Sequence, residues 1–362
     1  MSSLLSPLRF RSGQSIPNRV ALAPLTNKQS NPDGTLHDDE LRWLVRRGRS
    51  FGLVSTCAAF VSEEGHAWDG QLGVADDVHL PGLTRLATAL QETGCTPIVQ
   101  LFHGGMRASL APEKKLSTVD DEDNNVRGAT AEDLVRVKDD FVAAALRCQQ
   151  AGFAGVEVHG ANGYLFTQFL APLDNPRDDA YGGDLVGRAR LLREVVQAVR
   201  AAVTPDFLVG VRLSPVDVWN QRGLRIADSV QVAAWMADDG VDFVHLSMTD
   251  AAGTPPHEDS DVPVARAIRD ALPDDVPVLA AGGIWTREDA QRAVDAGVDV
   301  IVLGRSGIAH PDWPDTAFED GFEPKRAPWT PEHLKSVDVG DDLLNYLRRF
   351  PGHVTDGRSV RG

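Results

Sequence analysis

Three side chains suited to carbonyl chemistry lie within one short segment of the chain. Residues 156–170 read VEVHGANGYLFTQFL and contain His159, Asn162 and Tyr164 after an apolar run. We expect His159 and Asn162, three apart on a turn of helix, to be neighbours that both donate to one carbonyl oxygen. The phenol of Tyr164 could give a proton to carbon. A single histidine in a turn is more often structural, but this combination at a strand end indicates a substrate site.

Short apolar runs that alternate with helical patterns must position these residues. The predicted strands are residues 20–25, 52–59, 97–101, 155–158, 207–213, 242–246, 276–280 and 300–303. The helical patterns between them cover residues 38–47, 80–92, 130–150, 226–238, 262–271 and 287–296. Continuously apolar strands that alternate with helices indicate a parallel sheet covered on both faces. Eight such units favour an α/β fold of the (β/α)8 TIM-barrel type. A doubly wound sheet is the alternative, but no Gly-rich dinucleotide fingerprint follows the first strand.

The chain shows no clear domain boundary, which predicts a single barrel domain over residues 1–320. Residues 111–128 are charged and predict an exposed loop between two elements. Residues 321–362 form a C-terminal extension rich in proline and charge. Within it, residues 341–350 (DDLLNYLRRF) predict a helix that packs on the barrel or on a neighbouring subunit.

Two glycine turns end the last two predicted strands. The motifs are AAGGI, with Gly282 and Gly283, and LGRSG, with Gly304 and Arg305. Phosphate sites in such barrels commonly follow strands seven and eight, and glycine lets backbone N–H groups approach an anion. A guanidinium can bind phosphate in a fork. The motifs predict a phosphate site; the alternative is two turns that simply close the barrel.

Three other polar residues also stand at predicted strand ends. Arg212 ends the strand VGVRL, where a buried arginine needs an anionic or strongly polar partner. That partner could be a ligand or a carboxylate in the barrel mouth. Gln100 and Thr26 can hydrogen-bond a polar ring edge, although either alone could be a satisfied core residue.

Composition and charge exclude several classes of partner. The formal net charge of −16 argues against nucleic acid or an anionic membrane as the main partner. No apolar run approaches the roughly 20 residues that span a bilayer, and the N-terminal segment lacks the pattern of a signal peptide. The three cysteines match no metal-ligand spacing. We therefore expect a cytoplasmic protein with reduced cysteines.

The sequence resembles the Old Yellow Enzyme family of FMN-dependent ene-reductases from about residue 17 to residue 314. The similar segments are NRVALAPLTN, VQLFHGG, VEVHGANGYLFTQFLAPLDNPRDDAYGG, VGVRLSP, AAGGI and VLGRSGIAHPDWP. The long central segment is highly specific. The short glycine turns are not specific singly, but all occur in the family's order.

The resemblance implies FMN as cofactor, NAD(P)H as reductant and a specific role for each matching residue. His159 and Asn162 would bind the substrate carbonyl, and Tyr164 would be the proton donor. The residues implied in flavin binding are Ala23, Pro24, Leu25 and Thr26 along the ring, Ala58 through its backbone, Gln100 and Arg212 at the pyrimidine edge, and Gly282, Gly283, Gly304 and Arg305 at the phosphate.

The chain also departs from the family pattern. Asn162 stands where many relatives carry a second histidine, and Thr26 replaces the cysteine of one branch. Met106 interrupts the usual HAGR motif, so Arg107 receives no cofactor role. An aromatic substrate contact is missing soon after the first strand, where the sequence has polar residues at positions 27–29.

The implied reaction is reduction of the C=C bond of an α,β-unsaturated carbonyl compound, with one site serving NAD(P)H and substrate in turn. The partners would be small enones, with a homo-oligomer possible. A related enzyme with an iron–sulfur cluster is disfavoured, because three isolated cysteines cannot supply four ligands.

Two further alternatives remain open. A sugar-phosphate isomerase or aldolase would need a lysine or carboxylate at a strand end. Glu157 is near one, but we expect strand alternation to direct it away from the side of His159. A non-catalytic flavin-binding protein would bind FMN without turnover.

Overall fold

A closed barrel of parallel strands forms the centre of the molecule. The computed structural model describes residues 4–216 and 222–355, and eight strands of this part close into the barrel. They are β1 (Val20–Leu22), β2 (Leu53–Phe60), β3 (Thr96–Phe102), β4 (Gly155–Gly160), β5 (Leu208–Leu213), β6 (Phe243–Ser247), β7 (Val278–Ala281) and β8 (Val300–Leu303). The predicted (β/α)8 TIM barrel is confirmed.

Each barrel strand pairs with its neighbours in chain order, and β8 closes the ring on β1. The strands read as continuous apolar runs because helices cover their outer face and side chains fill the interior. The register places polar residues side by side at the carboxyl end. Arg212 in β5 pairs with His159 in β4 and with His245 in β6. Three neighbouring strands therefore carry basic residues at the same level of the barrel.

Helices alternate with the strands and pack around them. They are α1 (Asp38–Gly48), α2 (Leu80–Gln91), α3 (Ala131–Ala151), α4 (Leu165–Leu170), α5 (Leu185–Ala202), α6 (Ile226–Asp238), α7 (Val264–Arg269), α8 (Arg287–Asp295), α9 (Arg305–Ala309), α10 (Trp313–Thr316), α11 (Pro331–Ser336) and α12 (Asp341–Arg348). The predicted start and stop of α3 are confirmed. Thr130 and Asp133 form a capping box, and Gly152 ends the helix in the left-handed conformation.

Two local expectations were wrong. Residues 111–128 are not simply an exposed loop, since Lys115–Ser117 and Val126–Gly128 pair as short strands. Leu116 and Val126 in these strands are fully buried. The strand predicted for residues 20–25 ends at Leu22, and Pro24 has no N–H to continue the ladder. Residues 23–26 are therefore loop, at the barrel mouth.

The C-terminal extension lies against the barrel of its own chain. Leu334 in α11 and Leu343, Leu344 and Leu347 in α12 are buried in the same apolar core as the barrel strands. The backbone N–H of Gly340, just before α12, donates to Gln29 Oε1 at 2.9 Å. This packing brings α12 beside the loop that follows β1. Residues 356–362 of the predicted extension lie outside the described residues.

Membrane and metal features are absent from the part of the chain that the structure describes. None of its helices is long and apolar enough to cross a bilayer. No group of three or more His, Cys, Asp or Glu side chains in residues 4–216 and 222–355 could hold a metal ion. Cys57, Cys95 and Cys148 are free thiols, each buried.

Candidate active site

A cavity of about 270 Å³ opens at the carboxyl end of the barrel, between the two glycine turns. Gly282 and Gly283 have φ values of 155° and 65°. A Cβ on Gly282 would approach the backbone nitrogen of Ala251 to 2.8 Å, so this close approach requires glycine. Ser306 Oγ donates to the carbonyl of Ile284 at 2.7 Å and ties the two turns together. The cavity is lined by Ala23, Leu25, Arg212, Met248, Thr249, Ala281, Gly282, Gly283, Ile284, Trp285, Val302, Gly304, Arg305 and Ser306.

A buried polar cluster lies in the barrel interior beside this cavity. Glu157 accepts from Gln100 Nε2 at 2.6 Å, and its other oxygen is 2.8 Å from His245 Nδ1. Burial alone would raise the pKa of the Glu157 carboxyl, but His245, Arg212 and Gln100 outweigh it and lower the pKa. Burial lowers the pKa of His245 despite the carboxylate. The pair is therefore a carboxylate and a neutral imidazole whose Nδ1–H donates.

Several atoms of this cluster have no protein partner among the described residues. They are Gln100 Oε1, Arg212 Nε and His245 Nε2. Buried polar atoms without a hydrogen bond are costly, so such a group of them indicates a ligand with donors and acceptors on its edge. Arg212 reaches the cavity itself, while its Nη2 donates to Ser247 Oγ at 3.0 Å.

The expectation that the Glu157 side chain points away from the side of His159 was wrong. Residues two apart on a strand point to the same side, so Glu157 and His159 both face the barrel interior. Its two oxygens are engaged by Gln100 and His245. A carboxylate held in this way is poorly placed to act as the base of an isomerase.

His159 is buried, with 4% of its surface exposed, at the end of β4. Burial, assisted by Arg212, His245 and Arg107, holds the pKa of its imidazole well below the ordinary value. The ring is therefore neutral. Its Nδ1 accepts from the backbone N–H of Ala161 at 3.2 Å, which leaves Nε2 as the nitrogen that carries the proton. His159 is thus a hydrogen-bond donor through Nε2.

Asn162 does not lie on a turn of helix with His159, as its spacing suggested. It follows the end of β4 in the left-handed conformation, with φ of 59°. Its Oδ1 is 3.1 Å from Ser247 Oγ and 3.3 Å from Ser214 Oγ. Each hydroxyl already accepts an N–H, from Arg212 and from the Asn162 backbone respectively, so each donates to Oδ1. Within residues 4–216 and 222–355, the amide nitrogen of Asn162 has no hydrogen-bond partner.

Tyr164 packs edge-on against His159, with ring centroids 5.3 Å apart. Phe102 lies against both rings, 4.5 Å from that of Tyr164. Burial raises the pKa of the Tyr164 phenol, although Arg107 and Arg212 oppose the effect. Tyr164 is therefore a protonated phenol at neutral pH and can serve as an acid.

Tyr164 also lines a second space, of about 290 Å³, which we name the outer cleft. Leu25 lines the first cavity and Thr26 the outer cleft, so the two spaces adjoin at this dipeptide. The residues that line the outer cleft are Thr26, Lys28, Ala67, Trp68, Arg107, Ser109, Tyr164, Tyr346 and Arg349. The structure thus brings all three predicted chemical side chains to the barrel mouth.

The remaining predicted residues occupy the surroundings of the two spaces. Ala23 donates its N–H to Leu303 at 3.0 Å, and Pro24 is buried beside it. Ala58 belongs to a small buried cluster with Phe102 and Tyr164, and its carbonyl accepts from Gln71 Nε2. The Ala58 carbonyl therefore already has a hydrogen-bond partner.

Sequence reasoning missed most of the outer cleft. The aromatic ring absent after β1 is supplied instead by Tyr346 of α12, over which Lys28 Nζ lies at 5.8 Å. Arg107, which received no cofactor role, stacks 4.4 Å from the Tyr164 ring and donates to the Asn162 carbonyl at 2.6 Å. Ser214 was likewise not predicted as a site residue, because only its position after a strand marks it in the sequence.

Comparisons with known proteins identify the family of the chain. A family model described as NADH:flavin oxidoreductase / NADH oxidase family matches residues 3–321. The chain belongs to this family. It is 34% identical over 355 residues to a probable NADH-dependent flavin oxidoreductase of Bacillus subtilis, covering 95% of this chain and 92% of that protein. An NADPH dehydrogenase of Bacillus cytotoxicus is 31% identical, covering 90% of this chain and 94% of that protein.

A solved structure gives the same result at the level of the fold. An old yellow enzyme homologue from Zymomonas mobilis superposes with a TM-score of 0.79 at 26% identity, covering 92% of this chain and 96% of that one. The resemblance to the Old Yellow Enzyme family is confirmed. This flavin oxidoreductase is an enzyme that uses FMN, with NAD(P)H as its reductant.

Proposed function

We propose that this flavin oxidoreductase reduces the C=C bond of α,β-unsaturated carbonyl compounds. The observation that carries the proposal is the set of proton-bearing groups at the barrel mouth. His159 offers Nε2–H, Asn162 offers its amide N–H groups, and Tyr164 offers a phenol of raised pKa. Two hydrogen-bond donors for the carbonyl oxygen and one acid for the α-carbon suit the reduction of an enone.

The residues around the cavity between the two glycine turns, which we name the inner cavity, fit FMN. The two glycine turns and Arg305 would hold the phosphate, because they offer backbone N–H groups and a guanidinium without a Cβ in the way. Gln100 Oε1 and Arg212 Nε, buried without a partner in the described part of the chain, would bind the polar edge of the ring. Loop residues 23–26 and Ala58 would lie along it. Bound FMN, once reduced by NAD(P)H, supplies the hydride.

Arg212 has a further role in this proposal. Burial lowers the pKa of its guanidinium while Glu157 opposes the effect, and the group remains a cation at physiological pH. A positive charge at the edge of a reduced flavin stabilises the negative charge that the ring gains.

His159 and Asn162 would bind the substrate carbonyl and draw electron density toward its oxygen. With the hydride supplied to the β-carbon, Tyr164 would protonate the α-carbon. Phe102 and Trp68 surround the Tyr164 ring at 4.5 Å and 6.5 Å, and a substrate bound in the cleft beside them would displace water from this point. Exclusion of water strengthens the hydrogen bonds to the developing oxyanion.

The test separates the two halves of the reaction. Purified protein reconstituted with FMN is reduced anaerobically by NADH or NADPH and then mixed with neutral enones, nitro compounds and quinones. We expect reduction by at least one nucleotide, followed by reoxidation with an enone and formation of the saturated ketone. Reduced flavin that no enone reoxidises would leave a flavin oxidoreductase with another acceptor and end the proposal.

A further inference from the structure

The outer cleft carries an unusual concentration of positive charge. Three of its nine lining residues are cations, namely Lys28, Arg107 and Arg349, and none is acidic. The whole chain has a formal charge of −16, so this local excess runs against the average of the surface. A cationic cleft in an acidic protein focuses anionic ligands on the site.

These cations are not neutralised by carboxylates of the described chain. In residues 4–216 and 222–355, none of the three forms an ion pair, although many other arginines do, such as Arg127 with Asp133. Lys28 faces the ring of Tyr346, and Arg107 faces the ring of Tyr164. These two aromatic faces hold Lys28 and Arg107 in place. Arg107 gives one N–H to the Asn162 carbonyl, and its other N–H groups can still bind an anion.

The C-terminal helix connects this charge to the catalytic side chain. Tyr346 of α12 and Tyr164 both line the outer cleft, together with its three cations. Lys28 Nζ lies 5.8 Å from the Tyr346 ring, and the Arg107 guanidinium lies 4.4 Å from the Tyr164 ring. Burial raises the pKa of Tyr346 while Arg349 and Arg107 oppose the effect, which agrees with this placement. The cations therefore lie within the space that a substrate would occupy beside Tyr164.

We propose that the outer cleft binds an anionic group, a carboxylate, on the substrate, and that Arg349, the C-cap residue of α12, is a specificity-determining residue for it. The carbonyl to be activated contacts His159 and Asn162, and the carboxylate lies toward Arg349, Lys28 and Arg107. An arginine binds a carboxylate through two parallel hydrogen bonds, which gives direction as well as affinity. The inference rests on the proposed function and adds the substrate class.

The pyridine nucleotide is the other source of anionic groups at this site. Its phosphates could use the same cations, because reductant and substrate take turns there. We assign the cleft to the substrate carboxylate because Arg107 stacks directly on Tyr164, the residue next to the reacting carbon. The two sources are separated by measuring each half-reaction alone.

The experiment compares a carboxylate with its neutral ester in the FMN holoenzyme. The reactive pair is 4-oxopent-2-enoate and its methyl ester, and the unreactive pair is 4-oxopentanoate and its methyl ester. Binding of the unreactive pair to oxidised enzyme is followed by calorimetry, which does not depend on turnover. The variants are Arg349→Gln and, as a matched control, Arg348→Gln, whose side chain donates to Asn345 and does not line the cleft.

The expected result is that the parent and Arg348→Gln bind and reduce the carboxylate at least tenfold better than the ester. In Arg349→Gln, the preference for the carboxylate over the ester should fall about tenfold. The rate with the ester and the rate of reduction by NADPH should stay unchanged. An unchanged preference overturns the proposal. A loss confined to reduction by NADPH would assign the cations to the nucleotide and also overturn it.

The two proposals fail in different ways. If neutral enones are reduced without any effect of Arg349→Gln on the carboxylate preference, the substrate class is wrong and ene reduction stands. If no enone is reduced but 4-oxopentanoate still binds in an Arg349-dependent manner, the anion site stands without the reaction.

Discussion

The hydroxyl of Ser247 lies between Arg212 and Asn162 and joins them through two hydrogen bonds. It accepts from Arg212 Nη2 at 3.0 Å and donates to Asn162 Oδ1 at 3.1 Å. Because Arg212 occupies the acceptor side of the hydroxyl, the proton of Ser247 must point to Asn162. The amide nitrogen is thereby turned away from the serine, so Arg212 acts through Ser247 to orient the amide that we propose to bind the substrate.

Replacement of Ser247 by alanine should weaken substrate activation through Asn162. We expect kcat/KM for a neutral enone to fall about tenfold, the usual effect of one lost positioning hydrogen bond. If Ser247 acts through Asn162, the same replacement in an Asn162→Ala background should cost little more. Steady-state kinetics of the two single variants and the double variant measure this coupling, and fully additive losses would contradict it.

Replacement of Tyr164 by phenylalanine should affect only one half of the reaction. The phenol has a raised pKa and stays protonated, so its loss removes the acid for the α-carbon. We expect reoxidation of the reduced enzyme by an enone to slow by about 100-fold, while reduction by NADPH stays nearly unchanged. Anaerobic stopped-flow absorbance follows each step. Equal rates for variant and parent with the enone would refute the role.

Much of the fold could be predicted from local patterns. All eight strands were recognisable as apolar runs, and β8 was predicted with its observed limits, Val300–Leu303. The helix α5 was missed, although Asp184 caps it and buried Leu192, Val196 and Val199 follow helical spacing. The cap and the spacing together make α5 predictable from sequence.

The errors in the site have specific physical causes. Spacing of three residues suggested a helix for His159 and Asn162, but Asn162-Gly163 is a turn dipeptide that favours positive φ. The period of a strand already placed Glu157 on the side of His159. Tyr346 and Arg349 could not have been found locally, because only the packing of α12 on the barrel brings them to Thr26.

The reaction should depend little on pH near neutrality. The pKa of His159 lies well below 6.5 and that of Tyr164 lies above 10.0, so neither group changes protonation between these values. Lowering the pH through about 6.5, the ordinary value for histidine, should leave the imidazole neutral and the rate unchanged. The rate of reoxidation by an enone, measured from about pH 6 to about pH 9 with flavin content checked at each point, tests this. A rate that changes tenfold around pH 6.5 would show an imidazole that titrates normally.

Replacement of Gly304 by alanine tests the inner cavity as the cofactor site. A Cβ at this position would meet only Leu25 Cδ2, at 3.8 Å, which is an ordinary contact. The methyl group would lie in the space between the glycine turns where the phosphate is proposed to bind. We expect FMN affinity to fall at least tenfold, measured by fluorescence titration of folded apoprotein, and thermal unfolding of the apoprotein is the control for an effect on the fold. FMN affinity equal to that of the parent would place the phosphate elsewhere, whereas a destabilised apoprotein would show that the glycine serves the fold.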